Sequence, residues 1–285
     1  MSGILYLVGT PIGNLEDISA RALRILSEVD LIAAEDTRVS RRLLNHFGIK
    51  KPLISYYEQN KRWREQELLD KLKQRQNIAL ISDAGMPAIS DPGADIAAVA
   101  MAADIEIIAI PGACALVTAL VISGMDSTRF CFEGFLAREK TARRKQLQGL
   151  VAEQRTLIFY ESPHRLSAAL ADMQECFGAE RRIVVARELT KLHEQCLRFS
   201  LAEATAYFQE NQPRGEFVLV VAGAEQSVAE VPQEQQLTQE LAELMNGGHS
   251  RKQAARCVAE KYHLSVKAVY DLGLNRDEDE GTIYC

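Results

Sequence analysis

Ser82–Gly93 reads SDAGMPAISDPG and follows directly on the apolar run Ile78–Ile81 (IALI). A short run of β-branched and aliphatic residues bounded by turn residues is the pattern of a strand buried on both faces, as in a parallel sheet. Gly85 and Gly93 open backbone conformations closed to other residues, and Pro87 and Pro92 remove freedom, so the segment is a shaped loop. Gly9–Asn14 (GTPIGN) stands in the same relation to Ile4–Val8 (ILYLV), and Pro111–Ala115 (PGACA) to Glu106–Ile110 (EIIAI). A single Pro-Gly merely ends a strand. Three such loops after successive strands mark the carboxyl edge of an open α/β sheet, where these sheets bind ligands.

Working outward, Ser19–Leu26 has helical spacing with Ser19 as its N-cap, and Leu31–Ala34 is a further buried strand. Ser40–Phe47, Arg64–Gln74 and Asp95–Ala103 read as helices. Strand and helix in alternation predict a mainly parallel sheet covered on both faces. A second series begins near Phe130, with strands Thr156–Tyr160, Arg182–Ala186 and Glu216–Val221 and helices Leu166–Cys176 and Leu201–Gln209. The chain is therefore expected to form an α/β domain over 1–123 and a second over 124–225. A polar linker follows over 226–236, then a helical extension over 237–275 and a flexible acidic tail over 276–285. In the extension, Leu237–Asn246, Arg251–Lys261 (capped by Ser250) and Val266–Leu272 (capped by Ser265) are short helices joined by tight turns, as in a helix-turn-helix unit.

The 285 residues are 47% hydrophobic and 25% charged, enough to bury sizeable cores. No apolar run approaches the roughly 18–20 residues of a membrane span, and the start has no basic n-region, so a cytoplasmic protein is expected. The six cysteines include no CxxC pair, which fits reduced thiols and no bound metal. His164 and His193 stand beside interesting segments but read as surface or structural residues. A net charge of −6 argues against a protein that coats nucleic acid, though local footprints exist. Arg138, Lys140, Arg143, Arg144 and Lys145 lie within one short segment, and Arg41, Arg42, Lys50, Lys51, Lys61, Arg62 and Arg64 form a second basic region. Either is also what a solvated helix face looks like.

The loops themselves narrow the ligand. There is no GK[ST] ending of a P-loop and no GxGxxG. From Ser82 to Gly93 there is no Lys or Arg, while Asp83 and Asp91 add negative charge. Such loops suit a nucleoside-like ligand without phosphates, or a cationic one, better than NAD or ATP.

In order and spacing, GTPIGNLEDIS, AEDTR, SDAGMPAISDPG and IPGACA closely resemble the tetrapyrrole-methylase superfamily. FEGFLAREKTARRKQL, YESPHRL, ARELTK and RGEFVLVV extend the resemblance over about Leu5 to Gly223, and it is strongest to the branch that methylates small-subunit ribosomal RNA. The resemblance implies two α/β domains of the tetrapyrrole-methylase (class III methyltransferase) type with a small C-terminal helical domain. It implies S-adenosylmethionine in the cleft, with Pro11, Ala84, Gly85, Met86, Ile89, Cys114 and Ala115 at cofactor-contact positions. Glu161 and Leu189 also fall at such positions, where relatives often carry Met and Gly. It further implies a homodimer with no metal, acting on 16S ribosomal RNA of the small ribosomal subunit.

The reaction so implied places a methyl group on the ribose 2′-hydroxyl of a cytidine near the decoding centre. Aligning that hydroxyl, and a base to take its proton, are what the protein must supply. Glu35 and Asp36 of AEDTR are the candidates, with Arg38 as a phosphate or carboxylate partner; Asp36–Arg38 equally reads as a structural ion pair. Glu161 and Glu188 are alternatives for the base. RNA contact falls to Arg138, Lys140, Arg143, Arg144, Lys145, Arg165, Arg187 and Lys191, with Arg251 and Lys252 as a secondary grip. Three rival readings are a small-molecule corrin or siroheme methylase, a non-catalytic ribosome-assembly module and an NAD-dependent oxidoreductase. The first would carry GxGPGDxxLLT, the second has no need of intact cofactor loops, and the third lacks its fingerprint.

Overall fold

The structure, a computed structural model, describes residues 2–225, 234–262 and 264–272. The chain divides into two compact units, residues 1–224 and 225–285. The first unit contains two five-stranded sheets.

The first sheet and its helices run β1 (Leu5–Val8), α1 (Ala20–Glu28), β2 (Leu31–Ala34), α2 (Thr37–His46), β3 (Leu53–Ser55), α3 (Lys61–Lys73), β4 (Ile78–Ile81), α4 (Gly93–Ala102) and β5 (Ile107–Ile110). All its pairings are parallel, in the order β3-β2-β4-β1-β5. Successive strand residues face opposite ways. Leu31 and Ala33 therefore pack with Leu68, Leu72 and Ile96 of α3 and α4, while Ile32 and Ala34 pack with Leu26 of α1 and Leu44 of α2. Ser19 caps α1 as expected, its side chain accepting from the Ala22 amide at 3.0 Å. α2 starts earlier than its periodicity suggested, because the Asp36 carboxylate caps it by accepting from the Arg38 amide at 2.8 Å.

The remaining elements of the unit are α5 (Ala115–Ser123), β6 (Phe130–Phe135), α6 (Lys140–Gln148), β7 (Thr156–Glu161), α7 (Leu166–Phe177), β8 (Arg182–Arg187), β9 (Gln195–Ser200), α8 (Leu201–Glu210) and β10 (Phe217–Val221). The second sheet is mixed, in the order β6-β7-β10-β8-β9: only β6 and β7 run parallel, and the other neighbours are antiparallel. One face, through Phe159, Val185 and Leu219, packs on α6, α7 and α8. The other face, through Ile158, Val184, Val218 and Val220, packs on Leu116, Ala119 and Leu120 of α5. Helix α5 precedes the 123/124 division drawn from sequence, yet it lies on the second sheet. Its sequence, ALVTALVIS, is apolar all round and so gives no amphipathic signal.

The second unit contains α9 (Glu234–Asn246), α10 (Arg251–Tyr262) and α11 (Val266–Leu272). They close on Leu237, Leu241, Ala255, Val258 and Val269. Ser250 and Gln253 bond reciprocally at the start of α10: the Ser250 amide donates to Gln253 Oε1 at 3.0 Å, and the Gln253 amide donates to Ser250 Oγ at 3.4 Å. α9 starts at Glu234, inside the stretch read as linker. The rest of that linker from 226 to 233, and the tail from 276 to 285, lie outside the described residues. Among the described residues no helix is long and apolar enough to cross a membrane, and no group of three or more His, Cys, Asp and Glu is placed to hold a metal ion.

Candidate functional site

β4, β1 and β5 are neighbours, so the three Gly/Pro loops leave the sheet side by side. The first two are stitched by their main chains: the Thr10 amide donates to the Gly85 carbonyl at 2.9 Å, and the Gly85 amide donates back to the Thr10 carbonyl at 3.1 Å. Thr10, itself buried, also turns its hydroxyl to the Gly85 and Ser82 carbonyls at 3.3 and 3.4 Å. Gly9 and Gly112 join the first loop to the third; a Cβ on Gly9 would stand 2.7 Å from the Gly112 Cα. Gly85 has φ +84, and a Cβ there would meet Ile12 and the Ala113 carbonyl at 3.1 and 3.2 Å. Within the second loop, Asp91 Oδ1 accepts from the Ala88 and Gly93 amides at 3.0 and 2.7 Å, which secures Ala88 at φ +69. Asp83 accepts from the Asp36 amide at 2.9 Å and so fastens this loop to the end of β2.

These loops form one wall of a cavity of about 390 Å³. The ends of β7 and β10 and the turn after β8 form the other wall. Ile12 of the first loop belongs to the same apolar cluster as α5 and the second sheet, which fixes the loop against that sheet. The hydroxyl of Tyr160 accepts from the Leu116 amide at 3.2 Å, tying the start of α5 to β7, and burial pushes that phenol up to about 12.

Of the cofactor positions taken from sequence, Ala84, Gly85, Met86, Ile89, Cys114, Ala115, Glu161 and Leu189 line the cavity. Pro11 does not: it is buried, and Ile12 takes its place on the wall. Phe135, Tyr160, Ser162, Pro163, Glu216, Phe217 and Val218 line it too, and sequence reading did not find them. The runs FEGF, FYESP and GEFV look like ordinary strand ends until the second sheet brings them together. No Lys, Arg or His is among the lining residues, whereas Glu35, Asp91, Glu161 and Glu216 are.

The acidic candidates separate clearly. Asp36 is paired with Arg38 (2.7 Å), whose side chain is 86% exposed, and the Arg38 hydrogen bonds hold that carboxylate at about 2. It does not line the cavity, so Asp36–Arg38 is a helix cap and surface ion pair. Glu161 shares its face of β7 with Phe159, toward α7. Its Oε1 accepts from the Ser162 amide at 2.8 Å and meets Arg165 at 2.7 Å, so it shapes the turn at the rim. Burial keeps its carboxyl above its ordinary value despite Arg165. Glu188 is held by Lys191 (2.9 Å) and the Glu216 amide (3.0 Å) and lies outside the lining. Glu35 alone of these is at the cavity wall without an ion pair among the described residues. Burial first, then the carboxylates of Asp83, Asp91 and Asp36, raise it above its ordinary value, against a main-chain hydrogen bond from Asp83.

The basic candidates also divide. Arg143 is buried rather than presented to solvent: its side chain is 8% exposed and is bound to Asp172 at 2.6 Å. Arg144 bonds the other oxygen of Asp172 at 2.8 Å and pairs with Glu175. A buried carboxylate thus joins α6 to α7, and the two arginines hold it below its ordinary value against burial. Arg165 is tied to Glu161 and to the Leu136 carbonyl, and Lys191 to Glu188 and Glu216. Arg187 ends β8 half-buried. Arg138, Lys140 and Lys145 are exposed at the start and outer side of α6. In the second unit, Arg251 stacks on Tyr270, and Lys252 is exposed.

The class of this two-sheet α/β protein is that of a methylase: residues 4–205 match the family described as Tetrapyrrole (Corrin/Porphyrin) Methylases. Two similar chains are both called "Ribosomal RNA small subunit methyltransferase I". That of Synechocystis sp. is 53% identical, covering 97% of this chain and 99% of the relative. That of Pasteurella multocida is 48% identical, covering 96% and 98%. The fold is shared with a uroporphyrin-III C-methyl transferase from Thermus thermophilus, crystallised with S-adenyl homocysteine. Its TM-score is 0.57 at 15% identity, covering 77% of this chain and 97% of that one. The chain belongs to the tetrapyrrole methylases and, within them, to the branch of ribosomal RNA small subunit methyltransferase I.

Removing Asp172 strands a buried guanidinium, so Asp172→Ala should lower unfolding free energy by roughly 3–5 kcal/mol. Lys140→Ala and Lys145→Ala should stay within about 0.5 kcal/mol. Urea unfolding followed by circular dichroism checks both expectations.

Proposed function

We propose that the chain transfers a methyl group from S-adenosylmethionine to the ribose 2′-hydroxyl of a cytidine in small-subunit ribosomal RNA. The observation that carries the reading is the cavity itself, apolar over most of its wall, lined by carboxylates and free of cations. Phosphates would be repelled there, while a phosphate-free nucleoside bearing a cationic sulfonium fits. The cradle suits it: Gly85 lines the wall at φ +84 with tight contacts to Ile12 and the Ala113 carbonyl, which disfavours a side chain, and Ala84, Cys114 and Ala115 put small residues beside it. Ile12, Met86, Ile89, Leu189 and Val218 would hold the nucleoside portion. When bound, the cofactor supplies an electrophilic methyl group.

The chain's own contribution is position and proton transfer. A ribose hydroxyl is a weak acid, and a carboxylate raised toward neutrality is a better base than one at its ordinary value. Glu35 would take this role; what supports it is its position at the cavity wall among like charges, with no cationic partner among the described residues to hold its proton affinity down. Asp36 and Arg38 order the start of α2 beside it. The exposed cations Arg138, Lys140 and Lys145, with Arg41, Arg42 and Arg62 of the other basic region, supply a local phosphate footprint. Shape recognition of an assembled subunit would add what a net charge of −6 withholds.

Methyl transfer from labelled S-adenosylmethionine to purified small subunits, with nucleosides resolved by mass spectrometry, tests the reading. The expected product is 2′-O-methylcytidine; a base-methylated nucleoside, or no incorporation, would overturn it. Glu35→Gln should slow transfer by about 10²–10⁴-fold. In the wild type the rate should fall as pH drops through the raised Glu35 value, because the base is then protonated. Asp83→Asn removes a neighbouring negative charge and should move that acid limb to lower pH. A limb that stays in place in both variants would remove Glu35 from the role.

A further inference from the structure

A second depression, of about 490 Å³, opens beside the first cavity. The two share Glu35, Ser90 and Asp91, and the second is completed by Tyr57, Glu58, Gln59 and Pro92. Its rim is a built turn. Asn60 is 6% exposed; its Oδ1 accepts from the Tyr57 amide at 2.9 Å, and its Nδ2 donates to the Ser55 carbonyl and hydroxyl, both at 3.2 Å. The Asn60 amide closes the turn on the Tyr57 carbonyl at 3.0 Å. Tyr56, buried beneath, donates its hydroxyl to the Pro92 carbonyl or to Glu65, each at 3.1 Å, and so fastens the turn to the opposite wall. Residues 57–59 are thus held in place although their side chains are exposed.

The chemistry of this depression differs from that of the first. Glu35, Glu58 and Asp91 give it hydrogen-bond acceptors, and Glu35 and Asp91 give it negative charge, Glu58 being paired with Lys61. The neighbouring cation, Lys61, is neutralised by Glu58 at 2.8 Å and Asp95 at 2.7 Å. A phosphate would be repelled. A neutral, flat group with N–H and O–H donors would be accepted, with the exposed ring of Tyr57 as a stacking surface. Carboxylates accept from the exocyclic amine of cytosine, and the uracil carbonyl at the same position offers them no donor. Arg41, Arg42 and Arg62 are exposed cations that would serve the phosphates of the RNA chain.

We infer that this second depression is the subsite for the nucleoside to be methylated. Tyr57 stacks its base, Glu58 reads the exocyclic amine, and the ribose lies over Glu35 at the junction with the first cavity. The inference rests on the reading of the chain as a methyltransferase of a cytidine ribose. Its own content is where the base goes and why cytosine is preferred.

The test measures kcat/KM for small subunits and, separately, the Kd for S-adenosylmethionine by calorimetry. Subunits with the target cytidine and subunits with uridine in its place are both used. Tyr57→Ala should lower kcat/KM at least tenfold and leave the cofactor Kd within about twofold, while Tyr57→Phe keeps most of the activity. The wild type should prefer cytidine over uridine at least tenfold, and Glu58→Gln, whose amide can turn to donate, should narrow that ratio severalfold. Unchanged kcat/KM in Tyr57→Ala, or an unchanged ratio in Glu58→Gln, with wild-type methylation of cytidine subunits intact, would overturn the subsite alone. Absence of wild-type methylation would instead overturn the underlying reading.

Discussion

Two main-chain hydrogen bonds, exchanged between Thr10 and Gly85, set the geometry of everything around the cavity. They bring the loops after β1 and β4 into register, and they do so only because Gly85 can take φ +84. With the loops joined, Gly9 meets Gly112, Ile12 reaches the apolar face of the second sheet, and Met86 and Ile89 are left on the cavity wall. A parallel sheet has its ligand-binding edge at the strand carboxyl ends. Here that edge is closed off by a second sheet rather than left open to solvent. Buried apolar surface, at about 25 cal/mol per Å², is what holds the two together, through α5 and the cluster around Ile158, Val184 and Val218.

The electrostatics follow from that closure. Loops without cations line the cavity with Glu35 and Asp91, while the lining carboxylates of the opposite wall, Glu161 and Glu216, are paired with Arg165 and Lys191 outside the lining. Most carboxylates on the loop side are occupied with the backbone: Asp91 holds Ala88 and Gly93, Asp83 holds Asp36, and Asp36 caps α2. Glu35 is partly buried among like charges and has no salt bridge among the described residues. A carboxylate in that position has a raised proton affinity because desolvation and repulsion both disfavour its charge. The negative field that suits a sulfonium also raises the proton affinity of Glu35, which is what the proposed role of base requires.

Much of this was legible in the chain itself, and the limits are physical. The Gly/Pro loops and buried strands Ile78–Ile81 and Leu31–Ala34 were readable because their signals are local. So was the absence of phosphate-binding residues. Helix α5 was hidden because an all-apolar segment has no period, and β9 because an edge strand with Gln195 and Arg198 carries little hydrophobic pattern. Tyr160, Phe217 and Ser162 could not be assigned to the site, since their place depends on pairings between β7 and β10 far apart in sequence. The burial of Arg143 was hidden for a related reason: its partner Asp172 is 29 residues away, and a basic run looks solvated until its carboxylate is known. The division at 123/124 followed a Gly-Met-Asp turn, whereas packing assigns the preceding helix to the second sheet.

A cation-free, carboxylate-lined cavity should select a phosphate-free cationic nucleoside over a phosphorylated one. Calorimetric titration of the purified chain with S-adenosylmethionine, repeated in the presence of excess ATP or NAD, addresses it most directly. The expected result is saturable binding of S-adenosylmethionine that neither nucleotide displaces. Displacement by ATP or NAD, or no binding of S-adenosylmethionine at all, would contradict the account.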